Sequence, residues 1–231
     1  VCGRDVRRWK IFRAVALVSL LPLGFWYANG GWRGVFVAAF VCGCAGVWNF
    51  NWRWPVLVDA PAMAFALASA AASIHGLWWL ATGFACLAGA TKETGPIFAA
   101  LWAWSTVPLV GLLLVVARAV QRAGDDVLDA QNAWILAHPF KASWEWHRRF
   151  PPWAWVMSFG VGVVALSDLS WPLTVTLLVA YGQCLMATDS MRLFQWAWPM
   201  VAVATAGAVP MRWLPALAAV HLFNPFKGDG N

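Results

Sequence analysis

The sequence predicts an all-α fold, a polytopic transmembrane helix bundle of about eight spans in a single domain covering residues 1–231. Composition is the first reason: 61% of residues are hydrophobic and 11% charged, where a soluble domain carries roughly 25% charged residues. Mean hydropathy is +0.64. A soluble domain of this size buries only about 70% of its surface, so it could not hide this much apolar area. The second reason is pattern. Apolar runs bounded by polar or Gly/Pro clusters recur along the whole chain, each near the ~20 residues a spanning helix needs. The same numbers exclude disorder, because too few charges are present to keep the chain solvated.

Taken in order, the first run covers 11–28 and stops at Asn29-Gly30-Gly31. The second covers 34–50. The third starts after Asp59 and ends near Ile74, where His75-Gly76 turns the chain. It is alanine-rich, so neighbouring helices can approach it closely. The fourth covers 77–90 and the fifth 95–117. A polar, interfacial loop follows at 118–150. The sixth to eighth runs are 151–167, 171–187 and 193–211, and a shorter segment, 213–223, precedes a polar tail. Several runs fall short of 20 residues and would cross by packing in protein or thinning the bilayer.

The net charge of +6 on such a chain reads as contact with anionic membrane lipids or as a topology signal, not as nucleic-acid binding. Nineteen tryptophans suit span ends at the membrane interface. The five cysteines read as small packing residues in helices and imply no disulfide framework. Basic residues do not choose an orientation. With eight successive spans, the cluster at Arg4, Arg7, Arg8 and Lys10 falls on the opposite side from the loop carrying Arg118 to Arg149. Each argues for its own side being cytoplasmic.

Charges within or beside spans are costly, so they mark candidate sites. Asp59 sits where the third helix begins, either as its N-cap or as a carboxylate at a cavity mouth. Thr91-Lys92-Glu93-Thr94-Gly95-Pro96 breaks the apolar run between the fourth and fifth segments. Thr94 can cap the next helix, and Lys92 beside that N-terminus suits a phosphate. A plain Lys–Glu pair at an interfacial turn is the alternative. A hairpin of spans three and four brings Asp59 and Lys92-Glu93 to one side. Asp189 and Arg192, three apart, can pair on a helix face, and eight successive spans place them on the other side from Asp59. A fifth, sixth or seventh segment that fails to cross would bring them to the same side.

Asp125, Asp126 and Asp129 could hold magnesium on a diphosphate, as in membrane prenyltransferases, but no second acidic motif accompanies them. A solvated acidic turn explains them as well. His138 and the Glu145-Trp146-His147-Arg148 segment read as an interfacial amphipathic stretch rather than a metal site. Nucleophile triads, phosphate-binding glycine loops and metalloprotease helices are absent.

Val-Leu-Val-Asp59-Ala-Pro-Ala-Met-Ala-Phe-Ala-Leu, followed by Leu-Ala-Gly-Ala-Thr-Lys92-Glu93-Thr-Gly-Pro, resembles the GT-C superfamily of membrane glycosyltransferases. Protein O-mannosyltransferases and the aminoarabinose transferase of lipid A belong to it. Asp189-x-x-Arg192 followed by Pro199 is similar to a late segment of some bacterial members. The resemblance covers roughly residues 34 to 200.

The resemblance implies transfer of a sugar, of hexosyl or mannosyl type, from a polyprenyl-phosphate donor to an extracytoplasmic acceptor. It also implies a bacterial-type cytoplasmic (inner) membrane, and a divalent metal, magnesium or manganese, as the one cofactor in view. Asp59 and Glu93 become the candidate catalytic carboxylates; Lys92, Asp189 and Arg192 become the candidate substrate-binding residues. Lys92 would serve the leaving phosphate and Asp59 the donor or a metal. The family's principal acid lies in a loop after a first span. Here no span precedes Arg4 and Asp5 is the only acid there, so the resemblance implies an N-terminal part missing before Val1, or a copy that has lost catalysis. The alternative function is a non-catalytic multi-pass protein, a transporter or an assembly subunit.

Overall fold

The computed structural model describes residues 6–44, 46–48, 51, 58–122, 137, 138, 141, 158–185 and 190–223. Among these the chain is helical throughout, with ten α-helices and several 3-10 segments. Helix α1 (Val6–Tyr27) is about 33 Å long at 1.5 Å per residue. Asn29, Gly30 and Gly31 all take positive φ and reverse the chain into α2 (Gly31–Gly43). This helix ends earlier than the apolar run does. At Gly43 a Cβ would overlap the imidazole of His221, and the helix ends where that ring packs.

Helix α3 (Asp59–Ile74) is the buried centre of the bundle. Its alanines face other helices on nearly every side, and Ser69 donates across to the Ala81 carbonyl at 2.7 Å. Gly76, at φ 71, turns it into α4 (Trp78–Thr91). Phe12 lies against Phe65 and Trp26 stacks on His75. Helices α1 and α3 therefore run parallel, with Val6 and Asp59 at one end of the bundle and Tyr27 and Ile74 at the other.

The fifth segment does not run through. Helix α5 (Gly95–Ala103) is only nine residues, about 13 Å. It stops at Trp104, which is left-handed at φ 48. Ser105, Thr106 and Pro108 carry the chain through a 3-10 turn (Val107–Gly111) into α6 (Leu112–Arg122). Proline donates no backbone hydrogen bond, so the α-helix cannot continue there. The return packs on α4: a Cβ on Gly89 would strike the Gly111 carbonyl, and a Cβ on Gly111 the Ala85 carbonyl. Arg118 then donates to the Ala90 carbonyl, back at the end where α5 began. The segment is a re-entrant hairpin rather than a span.

Residues 160–168 form a 3-10 helix and α7 (Trp171–Leu185) follows. Helix α8 (Ser190–Phe194) and a 3-10 turn lead into α9 (Trp198–Ala208). After a second 3-10 turn, α10 (Leu214–Leu222) climbs back to set His221 Nε2 2.8 Å from the Phe40 carbonyl.

The expected eight spans are reduced accordingly. Among the described residues only Val6–Tyr27 is long and apolar enough to cross a membrane alone. Arg192–Ala208 with Met211–Leu222, bent by 119°, qualifies as a second if the pair is one broken span. The outer surface is nonetheless apolar: Trp79, Leu113, Val120 and Trp171 are each at least two-thirds exposed.

Candidate functional site

Asp59 occupies the first turn of α3. It does not cap that helix. The amide of Ala60 is instead taken by Asn51 Oδ1 at 3.3 Å, and Asn51 Nδ2 holds the Val47 carbonyl at 2.8 Å. The Asp59 carboxylate is therefore available to side chains, and two cations take it. Lys92 Nζ donates to Oδ1, and Arg192 NH1 stands 3.1 Å from Oδ2.

The three come from three separate elements. Lys92 ends α4 in an extended conformation, its own N–H tied to the Ala88 carbonyl. Arg192 lies in α8 and reaches Asp59 because α8 passes close to Gly46, where an added Cβ would come within 3.0 Å of Arg192 Cα. Asp59 is 2% exposed, whereas Lys92 and Arg192 are 13% and 17% exposed. The carboxylate is thus enclosed, and the two cations on it are only slightly exposed.

Under it lies an aromatic floor. Lys92 Nζ sits 5.3 Å over the ring of Trp196, a cation–π distance. Trp196 packs on Phe98 and stacks on Trp102. Gln195, fully buried, donates to the Ser158 carbonyl at 2.6 Å.

The expected site residues separate as follows. Asp59, Lys92 and Arg192 come together. Glu93 does not join them: it is exposed and lines a cavity of about 320 Å³ with Thr91, Val115 and Arg118. Thr94 stands at the N-cap of α5 with Pro96 in the first turn, but its hydroxyl makes no capping bond. Asp189 lies outside the described residues, as do Asp125, Asp126, Asp129, Glu145 and His147. His138 is exposed. Arg192, expected on the far side from Asp59, is corrected to the near side by the re-entrant fifth segment.

Two features escaped the sequence reading. Trp196 lies in an apolar run, and nothing in its spacing marks it as the floor under Lys92. Arg13 is buried at 4% exposure within α1, beside Phe12 at the same end of the bundle. A single charge inside the first apolar run was a legible signal for it.

The donor set does not fit a divalent metal at Asp59. Both oxygens face cations, and two positive side chains beside a metal ion would repel it. Among the described residues no three His, Cys, Asp or Glu side chains gather as ligands. The arrangement suits an oxyanion instead, which Lys92 and Arg192 would bind by charge-assisted hydrogen bonds.

Basic side chains also gather around this end. Among the described residues, Arg7, Arg8, Lys10, Lys92, Arg118 and Arg192 lie here, against Arg33 and Arg212 at the other. Comparison of the chain with protein-family models, with curated proteins and with solved structures gives no match.

Proposed function

We propose that the protein is a polytopic membrane glycosyltransferase of the GT-C kind, whose Asp59–Lys92–Arg192 cluster receives the phosphate of a polyprenyl-linked sugar donor. The observation that carries this reading is the pair of slightly exposed cations held on one enclosed carboxylate. The apolar exterior suits lipid, with the shorter helices crossing as a packed bundle and the fifth segment returning to the end it started from. In transfer, the bond between the anomeric carbon and the phosphate oxygen breaks as an acceptor hydroxyl attacks that carbon. Negative charge grows on the phosphate, and Lys92 and Arg192 stabilise it. Asp59, with both oxygens engaged, positions the cations. The acceptor proton passes to water, since Glu93, the other candidate carboxylate, lines a separate cavity with Thr91 and Arg118.

The test is binding of a long-chain polyprenyl phosphate to the purified full chain in detergent, followed by transfer assays with sugar-charged donors. Wild type should bind the phosphate and discriminate against the neutral polyprenol, with Lys92→Gln and Arg192→Gln each losing that preference. Equal binding of phosphate and alcohol by wild type would overturn the reading.

The gathering of basic residues supports a second reading. By the positive-inside tendency it would make the site's end cytoplasmic, which excludes extracytoplasmic transfer and favours a non-catalytic assembly role. Sidedness of Glu93 decides between the two.

A further inference from the structure

At the end opposite the ion cluster, a cavity of about 420 Å³ opens between the α1–α2 turn, the tip of the re-entrant hairpin and α9. Its volume falls within the roughly 300–1,000 Å³ typical of ligand pockets. The body of its wall is apolar: Val37, Ile74, Met200, Val203 and Ala206. Among the described residues, Arg33 in the first turn of α2 is the one charged residue of the lining, and no acidic side chain belongs to it. Trp102 also forms part of the wall. It is 2% exposed, and its indole N–H has no partner among the described residues. Among the described residues, two non-glycine positions have positive φ, Asn29 and Trp104, and both line this cavity. Such conformations persist where surrounding structure enforces them, often at ligand clamps.

We infer that this cavity binds one anionic membrane phospholipid, with an acyl chain against Val37, Ile74, Met200 and Val203 and the headgroup phosphate at Arg33. Charge complementarity selects the headgroup: beside one cation, a headgroup whose phosphate charge stands uncompensated is favoured over a zwitterionic one, whose own ammonium offsets its phosphate. Helix α3, 16 residues or about 24 Å long, runs from Asp59 to Ile74 in the cavity wall, and Trp102 in that wall stacks on the Trp196 floor under Lys92. These lipid contacts use none of the three charged residues of the ion cluster.

The test is native mass spectrometry of the full chain, released from detergent micelles doped with dioleoyl phosphatidylglycerol or dioleoyl phosphatidylcholine. Wild type should retain one phosphatidylglycerol, about fivefold over phosphatidylcholine, the preference expected of one basic residue near an anionic lipid. Arg33→Gln should level the two lipids. Gly207→Leu should lower retention of both, because Gly207 lines the cavity and a Cβ there meets nothing within 4 Å, so the backbone accepts the side chain. Gly182→Leu, equally free of contacts but outside the lining, serves as the control and should change nothing. Equal retention of both lipids by wild type, or retention unaltered by Arg33→Gln and Gly207→Leu, would overturn the inference.

Discussion

Arg192 NH1 stands 3.1 Å from Asp59 Oδ2, although a chain of eight successive spans would hold these residues at opposite ends of the bundle. The contact exists because the fifth apolar segment turns back at Trp104 and the later helices enter with reversed sense.

That pairing predicts energetic coupling. Asp59→Asn removes the counter-charge from two partly buried cations and should cost about 3–5 kcal/mol, as breaking buried ion pairs does. In a double-mutant cycle with Arg192→Gln, the interaction term should be about 0.5–3 kcal/mol. Thermal or denaturant unfolding in detergent, followed by the fluorescence of the 19 tryptophans, measures it. Strict additivity would show that the two side chains do not interact.

The re-entrant hairpin predicts sidedness. In a chain stripped of its native cysteines, Glu93→Cys and Ala119→Cys, both exposed, should react with an impermeant maleimide from the same side of the membrane. Leu77→Cys, 44% exposed at the far turn, should react from the other. Labelling of positions 93 and 119 from opposite sides would mean that the fifth segment crosses after all.

Glycine contacts predict opposite effects of one chemical change. In Gly111→Ala the new methyl group meets the Ala85 carbonyl, with Pro96 Cγ 2.8 Å away. Overpacking of this kind costs about 1–3 kcal/mol. Gly83→Ala, in the same hairpin region but with nothing within 4 Å, should instead raise stability by about 0.5–1 kcal/mol, because a mid-helix glycine is entropically costly. Melting temperatures in detergent should therefore move in opposite directions.

The phosphate seat predicts a graded loss. Lys92→Gln should weaken polyprenyl-phosphate binding by about ten- to a hundredfold, the range for one charge-assisted hydrogen bond of about 1.5–3 kcal/mol. Trp196→Leu keeps both cations but removes the aromatic face under Lys92, and should weaken binding only a few-fold. Equal losses for the two variants would show that the floor collapses when Trp196 is removed and that charge is not the deciding feature.

Much of the bundle could be read along the chain. The turns at Asn29-Gly30-Gly31 and His75-Gly76 fall where positive-φ residues stand, because glycine needs no tertiary support to adopt that region. The burial of α3 follows from its alanines, whose small side chains permit close packing on every face. The break after Ala103 was less visible. Hydropathy stays high through it, and Pro108, the residue that forbids continuation, sits beyond the point where the chain reverses. The early end of α2 was hidden too: it falls where the ring of His221, distant in sequence, packs on Gly43.

The sequence by itself determined the helical class, through its apolar runs, and put Asp59 and Lys92 at one end of the bundle, because one hairpin of local turns suffices for that. Only the tertiary structure decided that Arg192 completes the cluster, that Trp196 underlies it and that Glu93 faces elsewhere. Those outcomes depend on the direction in which each later segment re-enters the bundle. That direction is set by long-range packing, such as Gly111 on Ala85 and α8 on Gly46, which no local pattern encodes.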